Sequence, residues 1–293
     1  MKKQTIQQFF KQYPSDEDCL EHLMKVRYGM EGFCPSCGAK TKFSRVSSQR
    51  AYACQWCGWH TYPCVGTPFE NSRTSLQLWF YAIYLFTTTR SGVSAKELQR
   101  QLGVTYKCAW RMGHEIRKHM DFVDGNPPLN GTIEMDETFI GGHKKDSYGG
   151  RGKAVLFGML DRDGGIHTQV VKNRKHESIL PIIANHVEAG SIIYTDYYPT
   201  YEAVKKMGHH HNRVNHSVGE YAKGDVHINT IESYWSRLKL SIRGTHIHVS
   251  AKHLDKYAKE FEYRFNSRNN PAEMLPELLS TFEEPSQKPS KKE

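Results

Sequence analysis

"GTIEMDETFIGG", residues 131–142, alternates side chains so that Ile133 and Met135 fall on one face while Thr132, Glu134 and Asp136 fall on the other. A period of two predicts a strand with one carboxylate-bearing face. The stretch follows "DGNPPLN" (124–130), a Pro/Gly/Asn-rich linker at which the texture of the chain changes. Beyond it, "KAVLFGMLDRDGGIHTQVV" (153–171) reads as a hairpin turning at Asp163 to Gly165, and "HESILPIIANHVEAG" (176–190) as a helix. "SIIYTDYYPTY" (191–201) reads as a strand with Asp196 at its end, before a proline-started helix. Strand, hairpin, helix, strand, helix in that order predicts an α/β domain with a mixed sheet over residues 130–280.

The last informative stretch of this domain is "GDVHINTIESYWSRLK" (224–239), which opens like a loop and continues as an amphipathic helix. Ile231, Tyr234, Trp235, Leu238 and Ile242 form its apolar stripe, and Glu232, Ser236 and Lys239 share the other face. Asp136, Asp196 and Glu232 thus stand on three separate elements of one domain, the last following the second after 35 intervening residues. Oxygen ligands of this kind hold Mg²⁺, which keeps water and substrate phosphate in the rest of its shell. Two such ions activate an attacking oxygen and stabilise a leaving one in phosphoryl transfer. Singly, each acid has a bland reading: Asp136 as a strand-end residue, Asp196 as an N-cap, and Asp161, Asp163, Glu134, Glu137 and Asp225 as surface acids.

Seven cysteines include "CPSCG" (Cys34, Cys37) and "CQWCG" (Cys54, Cys57), two C-x2-C pairs with 16 residues between them. Each pair can set two thiolates on one edge of a tetrahedron, and Gly38 and Gly58 let the backbone curl beneath the metal. A zinc ribbon is predicted over 31–66, with one structural ion because all four positions are filled by protein. Cys19, Cys64 and Cys108 lack a partner at ligand spacing and are expected in the core. Lys40, Lys42, Arg45 and Arg50 interleave with Tyr52 and Trp56, as on docking surfaces for nucleic acid or protein.

The formal charge is +9, with 17 Lys/Arg against 8 Asp/Glu in residues 1–120 and 23 against 23 thereafter. A basic region joined to a balanced one suggests a polyanion-binding part, since phosphate neutralisation supplies most non-specific nucleic-acid affinity. Residues 1–30 are expected to form a helical segment, and 72–122 a helical DNA-binding region. In the latter, Ser94 is an N-cap with Glu97 at the capping-box position, Gly103 breaks the helix, and a second helix starts at Thr105. This is helix-turn-helix phrasing, with Lys107, Arg111, Arg117 and Lys118 available to DNA, against the alternative of a plain helical hairpin. "LWFYAIYLF" (78–86) is nine residues, short of the roughly 20 that span a bilayer, and reads as a buried helix. With no secretory signal visible, a cytoplasmic, nucleoid-associated protein without membrane contact is expected.

Together, "CPSCG" with "CQWCG", "MDETFIGG", "YTDYYPTY", "HINTIESYWSRLKLSIRGTHIHVS" and "HLDKYAKEFEYRFNSR" resemble bacterial insertion-sequence transposases of the DDE class. The resemblance is to the zinc-ribbon group related to IS-one and Merlin elements, with an ISXO-two-like domain. It implies an RNase H-like fold, strand cleavage and strand transfer that depend on Mg²⁺ or Mn²⁺, recognition of the element's terminal inverted repeats in double-stranded DNA, and action as a homo-oligomer. It implies Asp136 and Asp196 as the first two metal-binding acids. Related groups carry Asn where others carry Glu at the third position, so Asn229 and Glu232 both stand as candidates, with Glu232 favoured for its charge. Lys239 resembles the family's basic residue that steadies DNA. The implied chemistry is attack by an activated water at the transposon end, followed by attack of the freed 3′-OH on target DNA.

Three further stretches are less specific. "GHHHNRVNHS" (208–217) gathers His209, His210, His211 and His216, read as a DNA-proximal loop in preference to a second metal site. "GGHKKDSYGGRGK" (141–153) lacks the phosphate-loop pattern and reads as a flexible basic hairpin. The tail 283–293 is expected to be disordered. Two rival readings of the whole remain: a non-enzymatic zinc-ribbon and helix-turn-helix regulator, and an RNase H-like nuclease without strand transfer.

Overall fold

The computed structural model describes residues 4–141, 152–215 and 222–284. The expected basic hairpin within 142–151, His216, and the tail beyond 284 therefore lie outside the described residues. No helix among the described residues is long and apolar enough to cross a membrane.

The chain divides into two units, the first made of residues 1–89, 95–119 and 270–293, the second of 90–94 and 120–269. In the first, α1 (Ile6–Gln12) and α2 (Asp16–Arg27) precede a four-stranded antiparallel sheet of β1 (Glu31–Phe33), β2 (Lys40–Val46), β3 (Ala51–Cys54) and β4 (His60–Thr61), in that order. Thr5 starts α1 with a capping box through Gln8, and Ser15 caps α2 by accepting from Asp18 N. The apolar run becomes α3 (Leu76–Thr88), whose Trp79, Phe80, Ala82, Ile83 and Phe86 are all fully buried. The helical pair is α4 (Ala95–Leu102) and α5 (Tyr106–Asp124), separated at Gly103, whose φ of 65° is the left-handed geometry that stops a helix.

One boundary differs from expectation. The helix α9 (Met274–Ser280), assigned from sequence to the 130–280 domain, belongs to the first unit. Its carbonyls accept from two histidines there, His22 Nε2 to Leu279 O at 2.9 Å and His119 Nε2 to Leu278 O at 2.8 Å. Burial holds the His119 ring down to about 4, so it stays neutral and donates at physiological pH.

The second unit is built on a five-stranded mixed sheet. Its strands are β5 (Thr132–Ile140), β6 (Ala154–Asp161), β7 (Ile166–Val171), β8 (Ile192–Thr195) and β9 (His210–Arg213), in spatial order β7-β6-β5-β8-β9. β5, β6 and β7 run antiparallel to one another, and β8 and β9 run parallel to β5. The parallel partners need crossovers, which α6 (His176–His186) and a 3₁₀ turn at Pro199–Met207 provide. Between β9 and α8 (Leu254–Asn266) lies α7 (Asn229–Ser241). Both faces of the sheet are covered. Ile133, Met135, Phe157, Met159 and Ile193 pack with Ile179, Ile183 and Tyr201 on one side; Leu156, Leu160 and Ile166 pack with Ile231, Trp235, Leu238 and Ala258 on the other. This is the α/β class with a mixed sheet expected from the sequence.

The histidine-rich stretch departs from its reading as a loop: His210 and His211 are ladder residues of β9, paired with Ile192 and Ile193. Polar side chains hid an edge strand whose partners come from its backbone. Gly158 of β6 stands opposite Asp136. A Cβ there would lie 2.6 Å from Cη2 and Cζ2 of Trp235. Gly158 therefore makes room for the indole against the sheet. Gly158→Ala is expected to lower stability by about 1–3 kcal/mol through overpacking, read by urea denaturation with tryptophan fluorescence. Unchanged stability would contradict the close seating of Trp235.

Candidate active site

Two of the three acids are brought together by sheet register. β8 runs parallel to β5 with Thr132 opposite Ile192, Ile133 opposite Ile193 and Glu134 opposite Tyr194. Asp136 lies two residues beyond Glu134 on the same face of β5, and Asp196, one residue past the end of β8, acts on its carboxyl. Asp196 follows the last residue of β8, and its Oδ1 accepts from Tyr198 N at 3.1 Å. Glu232 comes from above this face, in the first turn of α7. The carboxyl of Asp136 is pushed up to about 8 by burial and then by the charges of Glu137, Asp196 and Glu232. The three acids thus share one field, although they sit on three elements.

α7 is held over the sheet by a residue of β5. Its N-cap position is Ile228, which offers no side-chain acceptor. Glu134, fully buried, takes over: it accepts from Thr230 N at 2.9 Å, Ile231 N at 3.0 Å and Thr230 Oγ1 at 3.0 Å. Arg162 Nε donates to the same carboxylate at 2.7 Å and continues to the carbonyls of Asp225 and His227, both at 2.9 Å. A negative group at a helix N-terminus, paired and hydrogen-bonded, is what makes burial of such a charge tolerable. Glu134 precedes Asp136 by two residues on the same face, so one strand positions both the first acid and the helix bearing the third. One turn along α7, Trp235 Nε1 donates to Asp136 Oδ2 at 3.0 Å.

Lys239 lies on the exposed side of α7, half-buried. Burial pulls its ammonium below the ordinary value while the nearby Asp136 charge pushes it up. Asn229, the first residue of α7, is exposed. Glu137, expected at the surface by default, is instead buried on the opposite face of β5, where Tyr201 OH donates to its Oε1 at 2.8 Å. Burial pushes Glu137 up to about 7 against the pull of that hydrogen bond. Glu134 and Asp161 are likewise buried and not on the surface. Their strand positions would have signalled this, because both faces of the sheet are covered.

The carboxylates are a set of hard oxygen donors, a chemistry that suits divalent cations. Among the described residues, only the four cysteines bring three or more ligand atoms within 4.8 Å of one another. Cys34 and Cys57 Sγ lie 3.6 Å apart and Cys37 and Cys54 Sγ 4.0 Å, close to the edges of a tetrahedron with arms of about 2.3 Å. In both knuckles a glycine at φ 69° returns its N–H to the first cysteine's carbonyl: Gly38 to Cys34 O at 2.9 Å, Gly58 to Cys54 O at 3.0 Å. Those thiols fit one closed tetrahedral ion. Cys19 and Cys64 are buried and Cys108 is half-buried, as core residues.

The expected DNA-contacting residues divide. Lys107 and Lys118 are exposed, Lys118 beside Glu115 at 3.1 Å. Arg111 donates to Ser72 Oγ at 2.9 Å and lies over the Trp79 ring. Arg117 is 2 % exposed with its guanidinium 5.1 Å from the Phe86 ring centroid, which corrects its assignment to DNA. Its place on α5 is on the packed face with Met112 and Ile116. In the ribbon, Lys40, Lys42 and Trp56 are exposed, whereas Tyr52 is buried. Arg45 binds Glu17 at 2.6 Å, and Arg50 donates to the carbonyls of Ser72 and Thr74, so both arginines serve the fold.

Residues 128–266 match the ISXO2-like transposase domain and residues 14–60 the transposase zinc-ribbon domain. A Haemophilus influenzae protein, "Uncharacterized transposase-like protein", is 33% identical over 102 residues, covering 35% of this chain and 81% of that protein. The chain belongs to the ISXO2-like transposase family. An "Uncharacterized protein in transposable element ISH50" of Halobacterium salinarum is 29% identical over 294 residues, 92% of this chain and 98% of that protein. A solved structure, the Mos1 mariner paired end complex with Mn, aligns with 73% of this chain and 90% of its own at 12% identity. The TM-score of that alignment is 0.25. The transposase-domain match ends at 266, short of α9, which the structure packs into the other unit.

The raised acids of this transposase domain make stability depend on pH. Between its ordinary value of 3.8 and about 8, Asp136 keeps a proton in the folded chain that the unfolded chain has released. The folded state then binds more protons, so stability falls as pH rises through that window, by an amount on the order of a few kcal/mol. Without added divalent metal, Asp136→Asn is expected to be more thermostable than wild type at pH 8 and close to it at pH 4. Mg²⁺ is expected to raise the wild-type melting temperature most at pH 8. Equal pH slopes and equal Mg²⁺ responses in the two proteins would contradict this.

Proposed function

We propose that the chain is a DDE-type DNA transposase that binds the terminal inverted repeats of its own element, cuts at their ends and joins the freed 3′-OH to target DNA. The observation carrying this reading is the shared field at Asp136: Asp196, one residue past β8, and the helix-borne Glu232 both act on its carboxyl. Acids crowded in this way cost stability unless cations occupy the space between them.

Asp136, Asp196 and Glu232 would hold two ions, Mg²⁺ or Mn²⁺. Bound there, the ions would supply activation of the attacking oxygen and neutralisation of the leaving one in an in-line displacement. The protein's part is positional. Trp235 fixes the rotamer of Asp136, Glu134 and Arg162 fix α7, and Lys239 meets the charge of the phosphate. Glu232 is taken as the third ligand because its charge acts on Asp136; Asn229, exposed one turn earlier, is left to contact DNA. Cys34, Cys37, Cys54 and Cys57 would hold one structural Zn²⁺. Lys40, Lys42, Lys107 and Lys118 are the exposed cations offered to duplex DNA by the ribbon and the helical pair, where phosphate contacts set affinity and register. Action as a homo-oligomer remains part of the proposal, since each transposition event joins two ends.

A non-enzymatic regulator would have no use for a destabilising group of carboxylates, which disfavours that reading. A nuclease without strand transfer shares the site and is separated by its products. Duplexes taken from the DNA flanking the reading frame, incubated with protein and Mg²⁺, are expected to be nicked at the element's end and joined to a target plasmid. Asp136→Asn should reduce cleavage by at least about 10³-fold while leaving end binding within a few-fold. Retained cleavage by this variant would overturn the assignment, and nicks without joined products would favour the nuclease.

A further inference from the structure

Beyond α7 the helix widens into one π turn, Ile242–His246, and the chain then bends sharply at Ile247. Ile247 has φ 63° and ψ −55°, and the His248 N–H returns to His246 O at 2.6 Å. This is the γ-turn of positive φ, rare and strained for any side chain and more so for a β-branched one. The isoleucine gains nothing from the fold in return, because it is 85% exposed. Strain of this kind persists only where the surroundings over-determine it, and it is a pointer to function.

The surroundings here are firm. Ser241 Oγ and Thr245 Oγ1 both donate to Ser91 O, at 2.7 and 2.9 Å. His246 packs edge-on to Tyr257 with centroids 4.7 Å apart, and Ile242 and Val249 are buried on either side. The turn is therefore a rigid mount that projects one apolar side chain into solvent. It stands at the rim of a cleft of about 360 Å³ lined by Lys153, Lys239, Arg243 and His248. Phe139 and Ile140 also line it, so the cleft opens along the strand that carries Asp136.

We propose that Ile247 is a wedge that enters the base stack of the DNA strand at the cleavage step, while Lys153, Lys239 and Arg243 hold the phosphates around the displaced nucleotide. The proposal rests on the transposase reading given above. Apolar side chains inserted between base steps unstack them for a few kcal/mol and kink the duplex, and cations beside them recover that cost at the backbone. A second protein copy would also cover an exposed isoleucine, but the ring of cations favours a polyanion. At the site, the wedge would splay the strand so that its scissile phosphate reaches the carboxylates.

Glycine is the informative substitution, because it accepts positive φ and relieves the strain instead of breaking the turn. Ile247→Asn tolerates the same φ with a polar side chain, and Ile247→Leu keeps an apolar one. The probe is the element-end duplex carrying 2-aminopurine at successive positions across the cleavage step, with full-length protein and no added Mg²⁺. Wild type is expected to brighten one position several-fold, and Ile247→Leu to do the same. Ile247→Gly and Ile247→Asn should leave it as in free duplex, with melting temperature unlowered for Gly and binding within about threefold, since phosphate contacts dominate affinity. With Mg²⁺ added, their cleavage should fall by roughly tenfold or more. Equal brightness in wild type and Ile247→Gly, or no bright position with wild type, would overturn the wedge. A Gly variant that changes only oligomeric state would assign the residue to a protein partner and overturn it too. Failure of the transposase reading is distinguishable, because there wild type with Mg²⁺ would give no joined products from the element-end duplex.

Discussion

The carboxylate of Glu134 is the constraint on which the catalytic unit depends. It sits with no solvent exposure on the central strand β5, where it takes four donors from Arg162, Thr230 and Ile231. A buried charge is held only by such a complete set of partners, and removing one side of the arrangement costs roughly 3–5 kcal/mol. Because three of those donors are at the start of α7, the strand dictates where that helix begins. Glu232 follows the capped residues directly. Trp235, one turn on, is then placed to donate to Asp136, in the space left by Gly158. A single polar contact thereby sets the spacing among groups far apart in sequence.

The two candidate metal centres are built on opposite principles. In the ribbon, two identical glycine-closed knuckles offer four thiols to one ion and leave no position for substrate, so metal there serves folding. In the second unit, oxygen donors are spread over the middle of one strand, the residue after a second strand and the first turn of a helix. The carboxyl charges there act on one another within the protein itself. Raised Asp136 and Glu137 are the signature of this, and Tyr201 confines Glu137 to the far face of the sheet. Ion binding would then be strongest when both acids are deprotonated.

Much of this could be read from the sequence, for reasons that differ by residue. Cysteine spacing fixes a knuckle locally, so Cys34, Cys37, Cys54 and Cys57 needed no tertiary information. The period of β5 and the stripe of α7 separated Asp136 and Glu232 from their apolar neighbours, and the order of elements gave the mixed sheet. Glu134 was illegible because its role is to cap a helix 96 residues away, a relation that no local pattern carries. Gly158 and the indole N–H of Trp235 were hidden for the same reason. Arg117 misled because a long cationic side chain on an amphipathic helix reads as solvent-facing, whereas its stem and guanidinium pack on Phe86. The β9 histidines misled through composition, since an edge strand needs backbone partners and not apolar side chains.

The central claim is that Asp136, Asp196 and Glu232 converge on a shared pair of divalent cations. Anomalous scattering from crystals of the full-length protein soaked in Mn²⁺ tests it most directly. Mn²⁺ peaks are expected between Asp136 and Asp196, with a Glu232 carboxylate oxygen completing the protein ligands. Peaks confined to other acids, or ligation by Asn229 with Glu232 turned to solvent, would contradict it.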